Sequence, residues 1–72
     1  MLGNEFIALN SSNLLGCRYD RATRVLTVQF REGAVYDYAN VPYEAYEGLM
    51  NAGSKGQYFH RHIKARYDAS PA

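Results

Sequence analysis

Tryptophan is absent from these 72 residues, and cysteine occurs once, at Cys17. A lone cysteine cannot close an internal disulfide framework and leaves a thiolate metal cluster without its partners. A reduced, cytoplasmic setting is the expectation that follows. No apolar run approaches the roughly 20 residues of a membrane-spanning helix, so no membrane partner is expected. The N-terminal "MLGNEFIALN" has neither a basic leader nor a long apolar stretch, and no signal peptide is expected there. Linkers, repeats and low-complexity tracts are also missing. The chain therefore reads as one domain, 1–72, with a core over about 11–67 and a tail, "DASPA" at 68–72, expected to fray.

What is present in quantity is tyrosine: seven, beside three phenylalanines. In so short a chain apolar burial and conformational entropy nearly cancel, so each large buried ring counts for more than in a bigger protein. Alternation places these rings. "NLLGCRYD" predicts a strand with Leu15, Cys17 and Tyr19 on one side and Leu14, Gly16 and Arg18 on the other. "RVLTVQFR" predicts a second, with Leu26, Val28 and Phe30 opposed to Val25, Thr27, Gln29 and Arg31. "AVYDYAN" predicts a third, setting Tyr36 and Tyr38 together on the core face. "DRATR" and "REG" supply the turns, Gly33 offering a positive φ. Residues 6–9 offer an extra edge strand or a frayed end.

Two helices are expected next. Val41-Pro42 opens the first, with Pro42 at N1, where its missing N–H costs nothing, and Gly53 in the C′ role after it. Tyr46, Leu49 and Met50 stand at the spacing that covers a sheet. Ser54 and Gln57 form a capping-box pattern for the second, whose Phe59, Ile63 and Tyr67 make a buried stripe. The expected fold is α+β: a three-stranded antiparallel meander, with that N-terminal edge strand as an addition, covered on one face by a C-terminal helical hairpin (β-β-β-α-α).

Charge is sorted along the chain although the net is only +1. Glu32, Asp37, Glu44 and Glu47 fall in a middle third without Lys or Arg, whereas Lys55, Arg61, Lys64 and Arg66 face a single Asp68 at the end. A basic terminal helix suits anionic partners and equally a solvated surface. In "GSKGQYFHRHIK", Gly53 and Gly56 bracket Ser54 and Lys55 at a helix start. Free N–H groups, a hydroxyl and an ammonium converge there as a phosphate would need. The same residues also make a plain capped turn between helices. On a helical wheel Tyr58, Arg61 and His62 lie opposite the buried stripe, an aromatic–basic surface suited to stacking a base and holding phosphate. The alternative sets Tyr58 against the first helix. "SSN" at residues 11–13 offers hydroxyls and an amide to phosphate or sugar, or a self-satisfied turn. Cys17 is expected as a small core residue. His60 and His62, two apart and roughly 200° around a helix, make no metal pair. No carboxylate pair or Ser/His/Asp order indicates catalysis or a cofactor.

Ser11-Ser12-Asn13, Tyr19-Asp20, Leu26-x-Val28-x-Phe30, Gly33, Tyr36-Asp37-Tyr38, Val41-Pro42, Ala52-x-Ser54-x-Gly56, Phe59, Ile63 and Tyr67 together resemble the KTSC domain family. That family is named for its occurrence at the C-terminus of some lysyl-tRNA synthetases. The resemblance covers residues 11–67. It implies a domain that occurs alone, including in bacterial and phage-like proteins, or as an appendage. It also implies RNA binding, and it brings no catalytic residues. The expectation is a non-catalytic module binding RNA or a nucleotide phosphate. Lys55, Arg61, Lys64 and Arg18 would contact phosphate, Ser54 would offer its hydroxyl, and Tyr58, flanked by Arg61 and His62, would stack. The alternatives are sequestration of a signalling nucleotide, in a homo-oligomer that encloses a pocket, and a protein-interaction module.

Overall fold

The structure, a computed structural model, describes residues 6–72. The expectation of no signal peptide rests on residues 1–10, of which 1–5 lie outside the described residues. Among the described residues, antiparallel strands β1 (Ile7–Ala8), β2 (Leu14–Asp20), β3 (Val25–Phe30), β4 (Val35–Tyr38) and β5 (Ala69–Pro71) form one sheet in chain order. Helix α1 (Tyr43–Asn51) and helix α2 (Lys55–Tyr58) follow β4, and α2 runs without a break into a π-helical segment, Phe59–Lys64. The predicted α+β plan of a meander under a helical hairpin is what forms, with a strand added at each edge.

The turns follow their residues. Asp20 Oδ1 accepts the Ala22 N–H at 3.0 Å, and Arg24 takes a left-handed φ of 61° to close the β2–β3 turn. Gly33, at φ 112°, closes β3–β4 in backbone that a side chain would strain. Asn40 turns the chain out of β4 at φ 59°, a conformation asparagine tolerates.

One sheet face is covered. Leu26, Val28, Cys17, Tyr19 and Tyr38 meet Leu49, Phe59, Ile63 and Val41 there, all buried. Tyr19 also donates its hydroxyl to Val41 O at 2.6 Å, so the ring's polar end is satisfied within the core.

Four local expectations change. First, β2 does not alternate cleanly. Leu14 pairs with Phe30 and Gly16 with Gln29, so Leu15 is an extra, bulged residue. The bulge turns Leu14 to the core face with Cys17 and Tyr19 and leaves Leu15 exposed. Second, the tail does not fray. Ala69–Pro71 pairs with β4, and Ala72 N–H donates to Val35 O at 3.0 Å. The outer edge of β4 otherwise leaves backbone donors and acceptors without partners, and Pro71 is tolerated on an edge strand. Third, Gly53 is not a left-handed cap: Ala52 ends α1 in extended backbone at φ −70°, ψ 142°. Pro42 is likewise the N-cap of α1 rather than its first residue. Fourth, Tyr38 is buried at 3% exposure but Tyr36 stays 36% exposed. Both share the face of Leu26 and Val28, with which they pair, but Tyr38 packs on Phe59 whereas Tyr36 stands at an open cleft with Phe30 against its ring.

Candidate functional site: a groove beside the second helix

The Ser54 hydroxyl accepts the Gln57 N–H at 3.4 Å, which is half of the predicted capping box and fixes where α2 begins. The loop at residues 10–13 is built independently. Ser11 Oγ accepts the N–H groups of Asn13 and Leu14, both at 3.2 Å, and Arg31 Nε donates to Ser11 O at 2.6 Å. The fold lays this loop against α2, and a Cβ on Gly56 would stand 3.4 Å from Ser11 Oγ. The two segments read from sequence as separate phosphate contacts, "SSN" and "GSKG", therefore form the two walls of one cleft of about 620 Å³. Lys55, His60 and Arg61 line it, with no carboxylate among the lining residues.

A second cleft of about 850 Å³, between the helix and the β3–β4 hairpin, adjoins it and shares Ser12, Asn13, Gly56 and His60 with it. Here the lining is aromatic. Phe30 sits edge-on to Tyr36 at 6.1 Å between ring centroids and to Phe59 at 5.6 Å, and Tyr38 meets Phe59 at 5.3 Å. Arg31, Lys64, Glu32 and Asp68 surround the rings. Gly56 and His60, four residues apart, line both clefts, and Lys64 a further four on lines the second alone. The result is an open groove, cationic at one end and aromatic at the other.

The predicted site residues are only partly gathered here. Ser54, Lys55 and Arg61 line the cationic end and Lys64 the aromatic end. Lys55 Nζ donates to Ala52 O at 2.9 Å, which holds its ammonium at the end of α1, where cations are favoured. Arg18 is on the opposite face of the sheet, in a shallow dip of about 430 Å³ with Asp20 and Asp37, and takes no part in the groove. Tyr58 is not an outward stacking platform. Its ring lies over Gly48 of α1, its hydroxyl donates to Ala45 O at 3.0 Å, and His62 packs on it at 4.6 Å. Gly48, with no side chain, leaves the slot that the ring fills. Tyr36, His60 and Tyr67 were not assigned to the groove by the sequence reading. The signal for His60 was its four-residue spacing from Gly56 and Lys64. For Tyr36 there was none, because alternation fixes a face and not the extent of its cover.

Burial pushes the Cys17 thiol up to about 11, and raises the Tyr19, Tyr38 and Tyr46 phenols above their ordinary value. Cys17, Tyr19 and Tyr46 lie away from the groove, and Tyr38 is buried beneath its aromatic end. Among the described residues no set of three or more His, Cys, Asp or Glu is placed to hold a metal. No helix among them is long and apolar enough to cross a membrane.

A five-stranded antiparallel meander carrying a helical hairpin on one face is the architecture of a small α+β domain. The chain belongs to the KTSC family, whose domain model matches residues 10–67. The crystal structure of a KTSC domain protein from Yersinia pestis superposes with a TM-score of 0.90 at 35% identity, covering 94% of this chain and 96% of that one. A lysine–tRNA ligase of Trichormus variabilis is 50% identical over 50 residues, and one of a Nostoc species is 48% identical over 50. These stretches take in 69% of this chain and 9% of each ligase, so the chain spans under a tenth of those relatives' length. An uncharacterized protein of Stutzerimonas stutzeri is 38% identical over 61 residues, 85% of this chain and 86% of that one.

Proposed function

We propose that this protein is a non-catalytic module that binds single-stranded RNA along the groove, its backbone at the cationic end and a base at the aromatic end. The observation that carries the reading is the joining of the residue 10–13 loop and the α2 start into one acid-free cleft that adjoins the cleft of exposed Tyr36. Hydroxyl, ammonium and guanidinium donors hold phosphate, while a ring with a free face stacks a base without regard to sequence. From Ser54 to Lys64 the groove wall runs at most about 15 Å, at ~1.5 Å per residue in the α-helical part and less in the π-helical part. That is room for about four stacked nucleotides at ~3.4 Å each. An open channel of this length suits a strand better than a sequestered free nucleotide, which an enclosed pocket would bury. Occurrence of the domain's sequence within lysine–tRNA ligases agrees with an RNA partner.

Fluorescence anisotropy with a labelled single-stranded RNA tests it. Affinity should fall as salt rises from about 50 to 200 mM, with a log–log slope of about −0.7 for each phosphate neutralised. Arg61→Ala should flatten that slope by about 0.7 and weaken all sequences alike. Absent binding, or binding indifferent to salt, overturns the reading.

A further inference from the structure

The two ends of the groove differ in more than aromatic content. The cationic end has Lys55, His60 and Arg61 and no acid in its lining. The aromatic end carries Glu32 and Asp68 beside Arg31 and Lys64. A carboxylate next to a phosphate track repels it, so acids belong where the ligand presents donors instead of charge. Both acids are exposed, at the β3–β4 turn and just before β5, and line this end together with Phe30, Tyr36 and Tyr67. A base stacked on Tyr36 would turn its edge toward them.

From this arrangement, and resting on the single-strand reading above, we infer that the aromatic end selects a base with an exocyclic amino group, favouring cytosine over uracil. The 4-amino group of cytosine donates to a carboxylate, whereas uracil presents a carbonyl oxygen at the same position, acceptor against acceptor. The two pyrimidines have nearly the same shape and stacking area, so a difference between them isolates the edge contact. Tyr36 supplies the platform and does not discriminate.

The test compares oligocytidylate and oligouridylate of equal length by anisotropy at fixed salt. Wild type, Glu32→Gln/Asp68→Asn and Tyr36→Ala are measured, each checked for folding by its thermal melt. Wild type should bind the cytidine strand about tenfold tighter, the scale of one well-made edge contact. The double carboxamide should bring the two strands within about twofold without lowering affinity for uridine, since removing negative charge weakens nothing on the phosphate side. Tyr36→Ala should weaken both strands equally. Equal affinities in wild type, with Arg61→Ala still weakening both, overturn the selectivity and leave the groove reading standing. A cytidine preference that survives in the double variant also overturns it. Failure of both strands to bind wild type overturns the groove reading and this inference with it.

Discussion

At the scale of single residues, Gly48 and Tyr58 show how one missing side chain decides what another can do. Tyr58 is bracketed in sequence by basic residues, yet its ring is spent on the α1–α2 contact, because a Cβ at Gly48 would strike the ring's hydroxyl end. Gly48→Ala has opposing effects. Alanine favours the helix by up to about 1 kcal/mol. Overpacking against the ring costs about 1–3 kcal/mol, and losing the Tyr58–Ala45 hydrogen bond about 1 more. The expected net is a loss of roughly 1–3 kcal/mol by urea melting. In a Tyr58→Ala background the same change should be neutral or stabilising, since the clash is gone. An equal cost in both backgrounds would mean that the glycine serves something other than the ring.

At the scale of elements, periodicity located most of the framework, because it reports which residues must leave water. Leu26, Val28 and Phe30 define β3, and Phe59 and Ile63 mark the buried side of the second helix, as spacing alone requires. What spacing could not carry is pairing. The bulge at Leu15 shifts β2 against β3, and no local signal in "NLLGC" fixes where an extra residue is inserted. Strand β5 hides for the same reason. "ASP" is short, wholly exposed and proline-containing, and it becomes a strand only because β4 presents an open edge beside it. Ending the chain after Asp68 should therefore lower the melting temperature, by about 4–8 °C for each kcal/mol of lost edge pairing. It should also speed hydrogen exchange at the Ala39 amide, whose acceptor Asp68 O is held in place by the strand that follows. Unchanged melting and exchange would show that this edge contributes nothing in solution.

At the scale of the whole molecule, the groove was half legible. Each wall could be read from its own residues, Ser11 to Asn13 on one side and Ser54, Lys55 and Arg61 on the other, but their meeting across Gly56 is a product of topology. The same holds for the core, which gathers Cys17, Tyr19, Tyr38 and Tyr46 from three elements and holds each neutral. Burial raises the pKa of every one of them, Cys17 to about 11. The sign of the linkage is common to all four: the unfolded chain releases these protons at lower pH than the folded one. Their neutral forms contribute full stability below the ordinary thiol value near 9, and that contribution is lost as pH rises toward 11. Urea melts should therefore be level from neutral pH to about 9 and weaken steeply above it. Cys17→Ala should delay the onset toward the tyrosine range, because the thiol is the first of the group to ionise once exposed. Native protein should also resist thiol alkylation that proceeds readily in urea. A stability curve flat to pH 11, or rapid alkylation of the folded chain, would mean that water reaches the centre of the sheet–helix interface, and that the rings do not seal it.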